Sequence, residues 1–254
     1  MVKMIHKVSV VIPTINLDLL RECVSYMDAN AGYPVDELII VADNPTDMMY
    51  NMLIHFCRDR DAKLIINPKK VGIVRSFNLG MKNATNDLIV ENAEDLWGLK
   101  NYLKILVEQI TANPNFGTAT VVQSNHPEYT HTQNLCINTR SMLEKLNYYD
   151  EIYSPGWYED TDFVAKQLAN GYIPHSIKEA RAYHVPHTNK FNNDIIDSHG
   201  RIFFERWQVP EWNWLNMPSH SIKDKCTCKV DDVAKKVCGV DSVFLKQRYD
   251  KILR

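Results

Sequence analysis

The stretch KVSVVIPTINLDLLRECVSYMDANAGYPVDELIIVADNPTD, residues 7–47, decides how this chain folds. Lys7–Ile12 is a β-branched run ended by Pro13 and reads as a buried first strand. Leu17–Ala29 sets Leu19, Leu20, Cys23, Val24 and Met27 at helical spacing, and Asp36–Val41 is a second strand. The alternation continues outward with helix Pro45–Cys57, strand Lys63–Ile66, helix Val74–Lys82 and strand Asp87–Val90. Four strands separated by three helices predict a doubly wound, mostly parallel sheet flanked by helices, with ligands bound beyond the strands' carboxyl ends.

Past residue 98 the pattern loosens. Leu99–Thr111, Ser141–Leu146 and Thr161–Asn170 read as helices, the last ending at Gly171. Gly117–Gln123, Asn134–Asn138, Tyr172–His175 and Ala180–His184 read as strands. From about Asn189 the text is Trp-rich and irregular, then ends in an amphipathic helical stretch.

Composition bounds the function. Lys and Arg number 29 against 31 Asp and Glu, so no global basic field argues for nucleic acid. The longest apolar run, Val8–Pro13, is far below the roughly 20 residues of a membrane span. Two lysines near the N-terminus precede no long apolar region, so no signal peptide is expected. Cys23, Cys57 and Cys136 lie scattered among apolar residues and fit free thiols in a reducing cytoplasm. Cys226, Cys228 and Cys238 cluster with His220 in sequence. Zinc is conceivable there, but their Cys-x-Cys spacing departs from the Cys-x2-Cys of structural zinc sites, so metal is the minor expectation.

Polar residues collect where a doubly wound sheet would place a ligand: Thr14 after strand one, Asp43 and Asn44 after strand two, Asn92, Glu94 and Asp95 after strand four. Glu91-Asn-Ala-Glu-Asp95 can hold a hard divalent cation through carboxylates, or Glu94 and Asp95 can cap a helix beginning near Leu99. In Trp157-Tyr-Glu-Asp-Thr-Asp-Phe163, three acids precede a helix, suiting either a general base or a first turn stabilised by the helix dipole. His184-Val-Pro-His187 ends a strand and offers a metal or phosphate contact, His184 ahead of His187.

The run from Lys7 to His187 resembles the family-two glycosyltransferases of the GT-A fold. VSVVIPTIN resembles their first-strand motif, and IIVADNPTD their Val-Val-Asp-Asp-Gly-Ser-Thr-Asp, with Ala42 and Asp43 at the two central acids. Gly72, Asn78, Gly80 and Ala84 fall at the family's offsets, and SPGWYEDTDF resembles its acceptor-side acidic region. The resemblance implies an inverting transfer of a sugar from a nucleotide-sugar, a UDP-sugar first, to an acceptor hydroxyl on a glycan or similar molecule. It implies Pro13, Thr14, Asp43, Asn78 and Asn92 around the donor, and a divalent cation (Mn2+ or Mg2+) on Glu94, Asp95 and His184. Asp160 is implied as general base, with Glu159 beside the acceptor.

It also divides the chain into a catalytic domain over 1–189 (a nucleotide-binding half 1–98, an acceptor half 99–189) and an extension over 190–254. Two departures stand out: Asn92-Ala-Glu94 replaces the usual Asp-x-Asp, and Ala42 replaces the first acid of the Asp-Asp pair.

The extension lies outside the resemblance. Phe203, Phe204, Trp207, Trp212 and Trp214 are expected to pack on the core rather than form an acceptor-side lid. The last stretch faintly resembles a helix-turn-helix through Ala234, Gly239, Lys246 and Arg248, which would suit an acceptor on a hydroxylated DNA base. A helical hairpin that braces the domain or pairs two copies into a homodimer is the plainer expectation. The altered metal motif also admits a nucleotide-sugar-binding protein without catalysis.

Overall fold

The computed structural model describes residues 6–113, 115–125, 135–186, 193–224 and 226–253. Strand β1 (Val8–Thr14) is buried along its whole length, as a strand covered on both faces must be. It lies between two parallel neighbours, β2 (Glu37–Asp43) and β4 (Leu88–Asn92), with Val10 opposite both Leu38 and Val90. β3 (Lys63–Asn67) adds in parallel outside β2. The crossovers are α1 (Leu17–Asn30), α2 (Asp47–Asp59) and α3 (Ile73–Asn83).

Short polar side chains start two of these helices. The Asn16 carboxamide oxygen accepts from the Asp18 and Leu19 amides, and the Thr46 hydroxyl accepts from the Met49 amide. Midway along α3, a Cβ on Gly80 would stand 2.2 Å from Val11 Cγ1, so glycine lets the helix lie against the sheet.

The second half completes the same sheet. β7 (Leu135–Thr139) runs antiparallel to β4, β6 (Phe116–Gln123) antiparallel to β7, and β8 (Ile173–His184) parallel to β6. β5 (Leu96–Gly98) pairs antiparallel with the carboxyl-terminal part of β8, and β9 (Ser219–His220) pairs in parallel with its amino-terminal part. The order is β3-β2-β1-β4-β7-β6-β8-β5, with β9 also on β8. Helices α4 (Tyr102–Ala112), α5 (Arg140–Lys145) and α6 (Glu159–Ala169) belong to this half, and α7 (Asn193–Trp207), α8 (Val230–Cys238) and α9 (Ser242–Ile252) to the extension.

Two expectations change. Tyr172–His175 and Ala180–His184 belong to one strand, because the polar Lys178-Glu179 interruption is absorbed where the register against β6 jumps from Val121↔Ile177 to Val122↔Arg181. The helix expected from Leu99 starts at Tyr102, behind β5, whose pairing with Leu96 opposite His184 is set by residues far away in sequence.

The extension packs as expected of its aromatics. Phe203 and Trp207 are fully buried with Tyr153, Val164 and Leu168 of the sheet-bearing part and Val237 and Leu245 of the terminal hairpin, while Phe204 is partly exposed. Gly239 ends α8 in the left-handed region, φ 74°, which favours glycine. On α9 the Arg248 guanidinium donates to the Arg206 carbonyl at 2.6 and 3.1 Å, and Lys246 pairs with Asp250. Both cations of the helix-turn-helix resemblance thus have protein partners, and the hairpin braces α6 and α7.

Candidate active site

The carboxyl ends of β1, β2 and β4 carry the polar residues the sequence pointed to. Thr14, the last residue of β1, donates its hydroxyl to Glu94 Oε2 at 2.5 Å, and the Ile15 and Asn16 amides donate to the same carboxylate at 3.3 Å. Pro13, just before it, is buried in the strand opposite Val41. Even with three donors, burial pushes the Glu94 carboxyl up to about 7, and the neighbouring Asp95 adds to the rise. Asp95 meets His184, Oδ2 to Nε2 at 3.4 Å, from either side of the β5–β8 pairing. Asn125 fixes that end of β8, accepting from the His184 amide at 3.0 Å and donating to its carbonyl at 2.7 Å. Neither Glu94 nor Asp95 caps a helix, since β5 separates them from α4. His187 lies outside the described residues.

Three of the residues expected around a donor are committed to shaping loops. Asp43 accepts from the Val71 and Gly72 amides, each at 2.9 Å, and so holds the β3–α3 loop. Asn92 is buried and donates to the Ala93 and Leu96 carbonyls at 2.8 and 2.9 Å, which fixes the turn presenting Glu94 and Asp95. Asn78 donates to the Tyr149 carbonyl at 2.9 Å and accepts from the Tyr149 amide at 3.1 Å.

The β3–α3 loop held by Asp43 touches the acceptor-side segment directly. Gly72, at φ 85°, has room for no side chain: a Cβ would stand 2.4 Å from Pro155 Cα. The next amide, Ile73, donates to the Pro155 carbonyl at 2.9 Å. Trp157 and Tyr158 follow at φ 77° and 67°, left-handed conformations that cost bulky residues on the order of 1–3 kcal/mol each. His199 of α7 holds this bend, its Nδ1 donating to the carbonyls of Gly156 at 2.9 Å and Trp157 at 3.1 Å. Sequence reasoning missed His199, because its partners lie about forty residues away in another element.

Glu159 and Asp160 come next, in the first turn of α6. Burial pushes both carboxyls up, and for Glu159 the adjacent Asp160 and Glu91 add to the rise. Glu159 Oε2 is sealed from solvent without a hydrogen-bond partner among the described residues. Asp160 Oδ1 accepts from the Thr161 amide at 2.6 Å and its hydroxyl at 3.2 Å. Asp162, the third acid, is wholly buried: it accepts from Trp207 Nε1 at 2.8 Å and pairs with Lys166 at 3.3 Å, so its part is to dock the extension.

Behind the acids runs a buried chain that the sequence pattern concealed. Gln167 Nε2 donates to Thr118 Oγ1 at 3.0 Å, Thr118 to Asn138 Oδ1 at 2.7 Å, and Asn138 Nδ2 to Glu91 Oε1 at 2.7 Å. The chain ties α6 through β6 and β7 to Glu91, whose carboxyl burial pushes up to about 8.

Comparisons with known proteins agree with this architecture. The family model described as Glycosyl transferase family 2 matches residues 9–183. Among solved structures, the mannosyltransferase PcManGT from Pyrobaculum calidifontis, in complex with GDP-Man and Mn2+, superposes with a TM-score of 0.67 at 16% identity, covering 98% of this chain and 74% of that one. TarS of S. aureus gives 0.62 at 17% identity over 79% of this chain and 39% of its own length. GalNAc-T7 with UDP, GalNAc and Mn2+ gives 0.65 at 12% identity over 80% and 51%. At such identities the likeness is one of fold, and the chain spans about half the length of the last two or less. Among curated proteins none matches by sequence. The profile match covers well over half of the chain, and the chain belongs to glycosyl transferase family 2, with the GT-A fold.

Proposed function

We propose that the chain is an inverting glycosyltransferase that moves a sugar from a nucleotide-sugar, a UDP-sugar first, to an acceptor hydroxyl on a glycan or similar molecule. The observation that supports this reading is the placement of Glu94 and the Asp95–His184 pair at the ends of their strands, with Glu159 and Asp160 on a segment that the β3–α3 loop touches at Pro155. Residues 1–189 would form the catalytic domain, 1–98 on the donor side and 99–189 on the acceptor side, with 190–254 as its brace.

Pro13, Thr14, Asp43, Asn78 and Asn92 shape the donor side. Asp95 Oδ2 and His184 Nε2, 3.4 Å apart, suit a shared cation: ligands at about 2.1 Å from one metal stand roughly 3.0–3.4 Å from each other. Glu94, anchored through Oε2 on Thr14, keeps acceptor capacity on Oε1 for the same ion. The mixed carboxylate and imidazole set suits Mn2+ better than Mg2+. Such an ion would neutralise the leaving diphosphate.

On the other side, the Asp160 carboxylate takes the acceptor hydroxyl's proton as the oxygen bonds to the anomeric carbon and the bond to the diphosphate breaks. Glu159 orients the acceptor, and the half-exposed Trp157 ring offers a flat apolar face to a sugar. The raised Asp160 carboxyl favours proton uptake, since a base works best with a pKa near the working pH.

A nucleotide-sugar panel read by thermal stabilisation, with and without Mn2+, followed by a transfer assay on the stabilising donor, tests the reading. Stabilisation followed by transfer supports it. Binding across the panel with neither transfer nor donor hydrolysis overturns it in favour of a non-catalytic binder.

A further inference from the structure

Strand β8 carries a histidine towards each end, and only His184 belongs to the site above. His175, nine residues earlier and, with the bulge between Ile177 and Arg181, roughly 20 Å back along the strand, is 1% exposed and stacked on Phe116 at 4.0 Å. Its Nδ1 stands 2.8 Å from the Ile173 carbonyl, an acceptor, so Nδ1 carries the hydrogen and Nε2 presents its lone pair. Facing Nε2 at 3.3 Å is the sulfur of Cys226, and the sulfur of Cys228 joins them, all three donor atoms within 4.8 Å of one another.

The cysteines arrive there on an anchored segment. β9 pairs with Ser176 and Ile177, and just after it the Ser221 hydroxyl and Ile222 amide donate to Glu179 at 2.6 and 3.1 Å. The chain then turns back over His175 through Cys226-Thr-Cys228 before α8 begins. Cys238, grouped with these cysteines by sequence, is buried in α8, its thiol against the Ala234 carbonyl, and takes no part.

We propose that His175, Cys226 and Cys228 form a zinc site that fastens the C-terminal extension to the amino end of β8. A nitrogen at about 2.0 Å and a sulfur at about 2.3 Å from a tetrahedral zinc stand roughly 3.5 Å apart, close to the 3.3 Å between Nε2 and Cys226 Sγ. One imidazole and two thiols suit zinc and not the hard cations of the catalytic side. The Nδ1 hydrogen bond to a backbone carbonyl is the outer contact that orients a metal-bound imidazole. The fourth position falls to solvent, with the His220 ring nearby, 6.0 Å from that of His175. On binding, each thiol releases its proton to solvent, and the metal cross-links the sheet to the segment leading into the terminal hairpin.

The test uses the full chain, purified under reductant without chelator, and needs no activity. Elemental analysis should find about one zinc per chain, falling at least about tenfold in Cys226→Ser/Cys228→Ser and unchanged in Cys57→Ser. Cobalt titrated into metal-stripped wild type should give a thiolate-to-cobalt charge-transfer band that the double variant lacks, a readout independent of what purification left bound. A chelator should lower the melting temperature of wild type and leave that of a folded double variant in place.

The proposal is overturned if metal-stripped wild type binds neither cobalt nor zinc. It is equally overturned if zinc persists in the double variant, or if the reduced protein is two hydrogens lighter than its six-thiol mass, the mark of a Cys226–Cys228 disulfide.

Discussion

Two Glu-Asp dipeptides face the same end of the sheet and are held in opposite ways. In Glu94-Asp95 both side chains have partners: Thr14 and two backbone amides for the glutamate, His184 for the aspartate. In Glu159-Asp160 one glutamate oxygen is sealed off without a hydrogen-bond partner among the described residues, and the aspartate accepts from the amide and hydroxyl of the next residue. The first pair sits in a turn built by the buried Asn92. The second sits on a bend in left-handed backbone that His199 clamps from the extension. Burial raises the glutamate carboxyl of each pair and donors oppose the rise, so the two pairs differ in what holds them, not in residue type.

The largest break in that comparison comes from Asp160→Asn. Transfer should fall about 10²–10⁴-fold in kcat while UDP binding, followed by calorimetry, stays close to wild type. Near-normal turnover would mean that the base is elsewhere.

Glu91→Gln sharpens the comparison through stability. The unfolded carboxyl ionises near 4.5, but the folded one keeps its proton to about pH 8, so the native state binds more protons across that window. Wild-type unfolding free energy should therefore decline as pH rises from 5 to 8, by roughly 2–4 kcal/mol, and level off above. Denaturant titrations should show a flatter profile in the variant. Parallel profiles would place the proton on another group.

His184→Ala acts on the first pair. The Mn2+ concentration needed for half-maximal transfer should rise at least about tenfold. An unchanged Mn2+ requirement would remove His184 from the cation site. Thr14→Val is the mildest change, deleting the hydroxyl that grips Glu94. It should cost about 1–2 kcal/mol in chemical denaturation and leave the pH–rate profile in place. A displaced profile would show that the two pairs are not independent.

Much of the donor side was legible in the sequence because its information is local. Strand runs and strand-end polar residues recur within a few positions, so the sequence alone puts Thr14, Asp43 and the 91–95 segment at strand ends. On the acceptor side the pattern alone showed an acidic cluster, and the resemblance singled out Asp160 and Glu159. That Trp207 claims Asp162 and that Gln167, Thr118 and Asn138 run to Glu91 was hidden, since these partners lie 45 to 49 residues away or on separate strands. The extension was read through its composition, as aromatic packing, and its clamp on residues 156 and 157 left no periodic trace.

The sequence by itself determined the mostly parallel αβ framework, the succession of strands and helices through residue 92, and which strand ends carry acids, because hydrophobic period and turn chemistry are written in neighbouring residues. Only the tertiary structure decided that Asp95 meets His184 and that Asp162 is taken up by Trp207 and Lys166. It also decided that His175, rather than His220 or Cys238, stands with Cys226 and Cys228. Each of these depends on the registry of β8 against β5, β6 and β9 and on the docking of the extension, contacts between elements that local spacing does not encode.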